Sequence, residues 1–311
     1  MQMQDDPRDG APGKDDAAPP DRSAQGDAPR PLAPGLYLVA TPIGNARDIT
    51  LRALDVLGSA EVLAAEDTRT LRHLMSIHGV PMRGRRIIAH HDHNARQSGG
   101  VILQHLRDGR SVAFASDAGT PLVADPGYSV LRDAAAQGLP VHAIPGASAL
   151  LAALGVAGLP TDRFLFAGFV PAAQGARRRW LAEITAVAAT VVMFDSPRRV
   201  GQTLEALAEI DPARPAVICR ELTKKFEEVL RGTVAELREQ VPAEGLRGEV
   251  VIVLAPPQIQ AVDDEVLRSA LGGLLDRLSV RDAAAEVAEH YGVPRKQVYA
   301  LAIEMGRADR G

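Results

Sequence analysis

The stretch VAFASDAGTPLVADPG, residues 112–127, joins an apolar run (Val112, Ala113, Phe114, Ala115) to a segment crowded with conformational specialists. Four consecutive apolar side chains without alternation read as a strand buried on both faces. The twelve residues that follow contain two glycines, two prolines and two aspartates. An ordinary turn needs one or two such residues. The stretch therefore reads as a central strand that opens into a loop built to hold a ligand.

Working outward, strand patterns recur at 36–40, 61–65, 86–89 and 141–144, with helical patterns between them at 49–57 and 101–106. In the first helix Leu51, Leu54 and Leu57 share one face. Strand–helix alternation with buried strands predicts an α/β fold with a mostly parallel sheet covered by helices. The break GVAGLP at 155–160 marks a boundary, and strands resume at 164–169, 190–194, 216–220, 226–231 and 249–254 with fewer helices. This predicts a first α/β domain over 35–156 and a smaller mixed α/β domain over 157–257.

A helical unit is expected over 262–308. Leu267, Leu271, Leu274 and Leu278 form a stripe, and Ser279 with Asp282 has capping-box spacing. Gly292 and Pro294 separate two short helices in the manner of a helix-turn-helix. Arg295 and Lys296, opening the second of them, are placed for phosphate contact. The same pattern fits a capping bundle without a ligand.

Composition narrows the class. Of 311 residues, 46% are apolar and 24% charged, as in a soluble globular protein. Residues 1–34 hold seven Pro and seven Asp, with Met1, Met3 and Leu32 their only large apolar side chains, so a disordered tail is expected. It has no apolar core of a secretory signal, and no 18-residue apolar run predicts a membrane span. Cys219 is the sole cysteine, which fits a reducing, cytoplasmic setting. The net charge of −4 falls mostly on the tail, so any polyanion must be held by local patches. Arg83, Arg85 and Arg86, Arg177 to Arg179, Arg198 and Arg199, and Lys224 and Lys225 are the candidates.

Neither GxxxxGK[ST] nor GxGxxG occurs where it would signal a nucleotide site. Gly146-Ala147-Ser148 is no nucleophile elbow, because Leu150 stands where that turn needs glycine, so Ser148 reads as a helix-start residue. His90-His91-Asp92-His93 alternates its side chains across an extended segment, and no distant ligand pair completes it, so no metal site is expected. Three loops at the carboxyl edge of the first sheet, 41–45, 66–69 and 116–127, predict one crevice, the usual ligand position in open α/β sheets.

These segments carry a resemblance. TPIGN (41–45), AAEDTR (64–69), HDHN (91–94), SDAGTPLVADPGY (116–128), IPGASA (144–149), GLPTDRFLFAGFVP (158–171), RELTKKFE (220–227) and GEVVIVL (248–254) stand in the order and spacing of one family. From about Gly35 to Ala255 the sequence resembles the ribosomal RNA small-subunit methyltransferase I family of the tetrapyrrole-methylase superfamily. The resemblance implies two α/β domains with S-adenosylmethionine in the cleft between them. It implies 2′-O-methylation of a cytidine in the decoding region of 16S ribosomal RNA by a homodimer that meets the small ribosomal subunit.

Carried over by position, the resemblance assigns the cofactor to Pro42, Ser116, Asp117, Ala118, Gly119, Thr120, Pro121, Ser148, Ala149, Phe194, Asp195, Leu222, Gly248 and Glu249. The sequence departs from the family pattern at Asp195, where Glu is usual, at Arg198, where His is usual, and at Ala147 and Ala95. Asp195 keeps the charge with one methylene less reach, which leaves its role open.

The chemistry asks for alignment more than activation. A sulfonium is already an activated methyl donor, and positioning alone can supply roughly 7–11 kcal/mol. A ribose hydroxyl is a weak acid, so a base or cation should help its proton leave. Glu66, Asp67, Asp117 or Lys224 could serve there, or act as substrate clamps or structural ion pairs, and Lys224 and Glu66 are the preferred catalytic pair. Arg69, His91, Asn94, Arg199, Arg295 and Lys296 are the expected RNA contacts. Two rival readings are a tetrapyrrole C-methyltransferase, with the same fold and cofactor, and a non-catalytic RNA-binding protein.

Overall fold

The computed structural model describes residues 31–91, 93–122, 127–257 and 263–308, with the side chains of 307 and 308 excepted. Most of the expected tail, Asp92, and the loop segment 123–126 lie outside the described residues. Leu32 packs against the first core, so the folded body begins just before 35.

The first sheet contains β1 (Gly35–Val39), β2 (Val62–Ala65), β3 (Ile87–Ala89), β4 (Ser111–Ala115) and β5 (Val141–Ile144). All are parallel, in the order β3-β2-β4-β1-β5. β4 is buried at every position, as its non-alternating sequence requires. Alternate residues feed opposite layers. Leu63, Ala65, Ala113 and Ala115 meet α1 (Leu51–Ser59) and α2 (Thr68–Ile77). Val62, Ala64, Val112 and Phe114 meet α3 (Ala95–Arg107) and α4 (Tyr128–Ala136). Adjacent strands β1 and β4 thus send their following helices to opposite faces. Their carboxyl ends open a crevice at this switch point.

α3 runs longer than the expected 101–106. Gly99 and Gly100 obscure its start, but a Cβ at Gly99 would meet Val130 Cγ2 at 3.2 Å, so the glycine serves close packing on α4.

The second sheet contains β6 (Phe164–Phe169), β7 (Thr190–Asp195), β8 (Pro215–Arg220), β9 (Glu228–Thr233) and β10 (Val250–Leu254). Its order is β6-β7-β10-β8-β9, with β6 and β7 parallel and the other pairs antiparallel. It is mixed, as expected, but has as many strands as the first sheet. β9 starts at Glu228, later than the expected 226, because the preceding turn continues to Glu227, whose carboxylate accepts the Thr223 N–H at 2.6 Å.

One face of this sheet is covered by α6 (Gln174–Thr185), α7 (Val200–Ala208) and α8 (Val234–Gln240). The other is covered by α5 (Ala149–Ala157), whose Ala153, Leu154 and Ala157 share a core with Val192, Val217, Val251 and Val253. By packing, then, α5 belongs with the second sheet. The physical division falls near 145–148, earlier than the GVAGLP break, which is only where α5 ends on the left-handed Gly158. Pattern could not reveal this, because an apolar helix does not say which sheet it covers.

The helical unit is α9 (Asp264–Leu275), α10 (Val280–Tyr291) and α11 (Arg295–Ala308) around a core of its own. Ser279 caps α10, its hydroxyl accepting the Asp282 N–H at 3.2 Å, and Gly292 ends it at φ +65°. Among the described residues no helix is long and apolar enough to cross a membrane.

Two of the basic clusters are partly spent inside the protein. Arg85 donates to the carbonyls of Leu57 (2.9 Å), Ala60 (2.6 Å), Pro81 (2.9 Å) and Met82 (3.0 Å), closing the carboxyl end of α1. Arg177 is buried and donates to Ala172 O and Gln202 Oε1. Neither is available for a polyanion. Arg85→Met should lower unfolding free energy by about 3 kcal/mol, because it orphans several carbonyls at once. Urea unfolding checks this, with Arg86→Met, which makes no such contacts, near neutral.

Candidate active site

Where the loops after β1 and β4 meet, their backbones pair. Thr41 N–H donates to Gly119 O at 2.9 Å, and Gly119 N–H returns to Thr41 O at 3.0 Å. The Thr41 hydroxyl donates to Ser116 O at 3.1 Å, and the buried Ser116 hydroxyl donates to Gly119 O at 2.6 Å. Gly119 sits at φ +83°, and a Cβ there would press on Ile43 at 3.2 Å. A third loop joins through Thr120, whose hydroxyl donates to Ala147 O at 3.0 Å. Asp117 accepts the Asp67 N–H at 2.8 Å, tying in the loop after β2. The conformational specialists of 116–121 therefore hold four loops in one frame.

Above this frame lies a cavity of about 460 Å³ between the two sheets. The loops of the first sheet contribute Ile43, Ala118, Gly119 and Thr120, and the start of α5 contributes Ser148 and Ala149. The second half contributes Phe169, Phe194, Asp195, Arg199, Leu222, Gly248 and Glu249, with Cys219 and Val251 on the floor. Most of the residues expected to bind a cofactor thus share one hollow. Pro42, Ser116, Asp117 and Pro121 do not line it; Ser116 and Asp117 act through the loop frame just described.

The sequence reading missed Ile43, Phe169, Ser196, Pro197, Cys219, Val250 and Val251. Phe169 had a signal. Gly168, at φ +79°, marks a bulge in β6 where the register with β7 shifts. The bulge breaks strand alternation, so Phe166 and Phe169 both reach Phe194, with ring centroids 4.9 and 5.4 Å away.

The ELTKK turn faces the cavity from the second half. Glu221 and Thr223 adopt left-handed φ of +52° and +65°, a strain that non-glycine residues accept only where surroundings fix them. Glu221 Oε1 accepts from Lys224 Nζ at 2.9 Å and from the Glu249 N–H at 3.0 Å. Lys224 Nζ also lies 3.1 Å from Glu249 Oε2. Burial alone would lower the Lys224 pKa, but these two carboxylates outweigh it and hold the amine above its ordinary value. Both carboxylates therefore favour the protonated amine. The Glu221 carboxyl is held below its ordinary value by Lys224, against partial burial.

The remaining expected residues are more dispersed. Glu66 is half-buried at the end of β2 and does not line the cavity. Arg69, highly exposed, grips Asp67 through Nε and a terminal nitrogen, which lowers the Asp67 pKa to about 2. Asn94 is committed to its own loop: Oδ1 accepts the His91 N–H and Nδ2 donates to Ala89 O, both at 2.9 Å. His91 is half-buried beside His93. Arg295 and Lys296 lie on the helical unit, lining a shallow depression with Arg281 and Tyr299. Among the described residues no group of three His, Cys, Asp or Glu gathers to hold a metal.

Comparison with known proteins agrees with this arrangement. Residues 35–238 match the model of the tetrapyrrole (corrin/porphyrin) methylases, and 260–306 match the RsmI C-terminal HTH domain. A ribosomal RNA small subunit methyltransferase I of Mesorhizobium japonicum is 44% identical over 91% of this chain and 97% of its own. The chain belongs to the ribosomal RNA small subunit methyltransferase I family. A family member from Neisseria meningitidis is 43% identical over 86% of this chain and 92% of its own, and one from Escherichia coli O157:H7 is 40% identical over 86% and 94%. The resemblance read from the motifs is borne out.

Solved structures establish the fold. A diphthine synthase superposes with a TM-score of 0.55 at 20% identity, covering 71% of this chain and 89% of its own. A uroporphyrin-III-C-methyltransferase from Thermus thermophilus gives 0.50 at 22%, covering 71% and 93%. The coverage fits the two-sheet body, with the HTH domain of the methyltransferase I family as the appended part.

At Gly44 the loop after β1 packs closely against the ELTKK turn of the second half. Asn45 N–H donates to Thr223 Oγ1 at 3.1 Å, and a Cβ on Gly44 would lie 2.4 Å from Lys224 Cγ. Gly44→Ala should destabilise by about 1–3 kcal/mol through this overlap. Gly100→Ala, in helix α3 with nothing within 4 Å, should be neutral or stabilising. Urea unfolding of the two variants tests the contrast.

Proposed function

We propose that this chain transfers a methyl group from S-adenosylmethionine to the 2′-hydroxyl of a cytidine in 16S ribosomal RNA. The observation that carries the reading is the coincidence of two facts. Relatives named ribosomal RNA small subunit methyltransferase I match nearly the whole chain, and residues from several of the family's motifs line one cavity. The reading includes the family's homodimer, the small ribosomal subunit as partner, and a cytoplasmic location.

The cavity suits the cofactor. Its volume falls within the roughly 300–1,000 Å³ of small-molecule sites. Phe169, Phe194, Leu222 and Val251 offer an apolar wall, while Thr120, Ser148 and the Ala118–Gly119 backbone offer polar groups. Gly119 and Gly248 leave out Cβ atoms that would crowd Ile43 and Glu221. When bound, S-adenosylmethionine supplies an electrophilic methyl carbon on a positively charged sulfur.

The chain's own residues align and charge the site. The paired loops at Thr41 and Gly119 fix the cavity wall, and the ELTKK turn fixes the opposite rim. Lys224, held protonated, stabilises negative charge developing on the ribose oxygen. Glu66 is assigned to the acceptor side of the crevice, with Arg69 and His91. Asn94 shapes that loop from within.

The tetrapyrrole alternative draws support from the match of residues 35–238 to the tetrapyrrole methylase model and from fold likeness to a uroporphyrin methyltransferase at 22% identity. The HTH match over 260–306 and the closer relatives favour RNA.

Small subunits from cells lacking this gene, incubated with the chain and methyl-labelled cofactor, should gain one alkali-resistant 2′-O-methyl mark. Label appearing on a porphyrinoid and not on RNA would refute the assignment. Lys224→Ala should retain cofactor affinity while slowing methyl transfer by about a hundredfold. In RNA binding, the Arg295→Ala/Lys296→Ala double variant should flatten the slope of log K against log salt by about 1.5, as two phosphate contacts disappear.

A further inference from the structure

We infer that Asp195 is a positioning residue that touches no ligand itself and aims the Arg199 guanidinium into the cavity, where Arg199 receives an anionic oxygen. That oxygen belongs to the carboxylate of the methyl donor or to a phosphate of the RNA. The inference rests on the proposed function, and it assigns Asp195 a different task from the direct cofactor contact expected of it.

The Asp195 carboxylate ends β7 and has no accessible surface. Its oxygens are already engaged. Oδ1 accepts the Ser196 N–H at 2.7 Å, and Oδ2 accepts the Thr203 hydroxyl at 2.6 Å from the first turn of α7. Asp195 thus contributes to the cavity wall without presenting its carboxylate to it. A carboxylate so deeply buried needs a countercharge. Two cations act on it: Arg177 at longer range, its N–H groups donating to Ala172 O and Gln202 Oε1, and Arg199, whose terminal nitrogen lies 3.7 Å from Oδ1.

Arg199 is the unsatisfied member. It lines the cavity, and it is the only cation among the described residues that does so. Its side chain makes no hydrogen bond to any described residue, and its buried Nε has no partner. At 3.7 Å the ion pair orients the guanidinium without consuming its donors. An arginine carries five N–H groups in a fixed fork suited to carboxylate or phosphate. Left unmatched at the edge of a cavity, that fork fits an incoming oxyanion.

Burial pushes the Asp195 carboxyl above its ordinary pKa, against Thr203, Ser196, Arg199 and Arg177. Asparagine at 195 can still accept from Ser196 and pair with the Thr203 hydroxyl, so it removes the charge and keeps the local hydrogen bonds. Its effect on ligand binding is thereby separable from any effect on folding.

The test compares wild type, Asp195→Asn, Arg199→Met and the double variant. Calorimetry measures S-adenosylmethionine and its decarboxylated analogue, and methyl transfer to small subunits gives KM for RNA. Arg199→Met should weaken one anionic ligand about thirtyfold. Asp195→Asn should weaken the same ligand by roughly five- to tenfold, with Tm unchanged or raised, and the double variant should match Arg199→Met alone. A loss confined to S-adenosylmethionine, with its preference over the decarboxylated analogue reduced, identifies the donor carboxylate. An unchanged donor Kd with a raised KM for RNA identifies a phosphate. The inference is overturned if Asp195→Asn adds its own loss to that of Arg199→Met, or if neither variant moves either constant. A wild-type chain that binds no donor at all would instead sink the proposed function.

Discussion

The reciprocal backbone pair between Thr41 and Gly119 is the constraint on which the cavity depends. It joins two loops that leave adjacent strands toward opposite faces of the sheet and would otherwise diverge. Once they are paired, Ser116 can close on the Gly119 carbonyl, Thr120 can reach Ala147, and Ile43 can be pressed toward the second sheet. Each contact is a modest hydrogen bond or packing interaction, worth about 1 kcal/mol net. Their value lies in mutual dependence. A side chain on Gly119 would disturb the pair, the loop conformation and the Ile43 contact together.

The second half meets this frame with a different device. Glu221 and Thr223 hold strained backbone conformations that set Leu222 in the shared core and Thr223 against Asn45. Such strain persists only when neighbours over-determine it. Here Gly248 makes room for the Glu221 side chain, and Lys224 neutralises its carboxylate. The rim of the cavity is thus rigid on both sides, which suits a reaction governed by alignment.

Much of this was legible in residue order. The buried run 112–115, the strand–helix alternation and the Ser279 cap each carry a local signal that folding preserves. The crowded loops also told where the ligand edge lies. What escaped was information held in three dimensions only. Helix α5 is too uniformly apolar to declare its sheet. Arg85 and Arg177 look like surface cations until the carbonyls they satisfy are seen around them. Phe169 enters the cavity because one bulge resets the strand's alternation, and the carboxylates of Glu221 and Glu249 meet at Lys224 only once the chain has folded.

The placement of α5 bears on biosynthesis. The helix emerges from the ribosome with the first half, yet its apolar face belongs to a core completed by β10, near the end of the second. Nascent domains generally consolidate from the amino terminus onward. The apolar face of α5 therefore finds its full set of packing partners only after β10 has been synthesised.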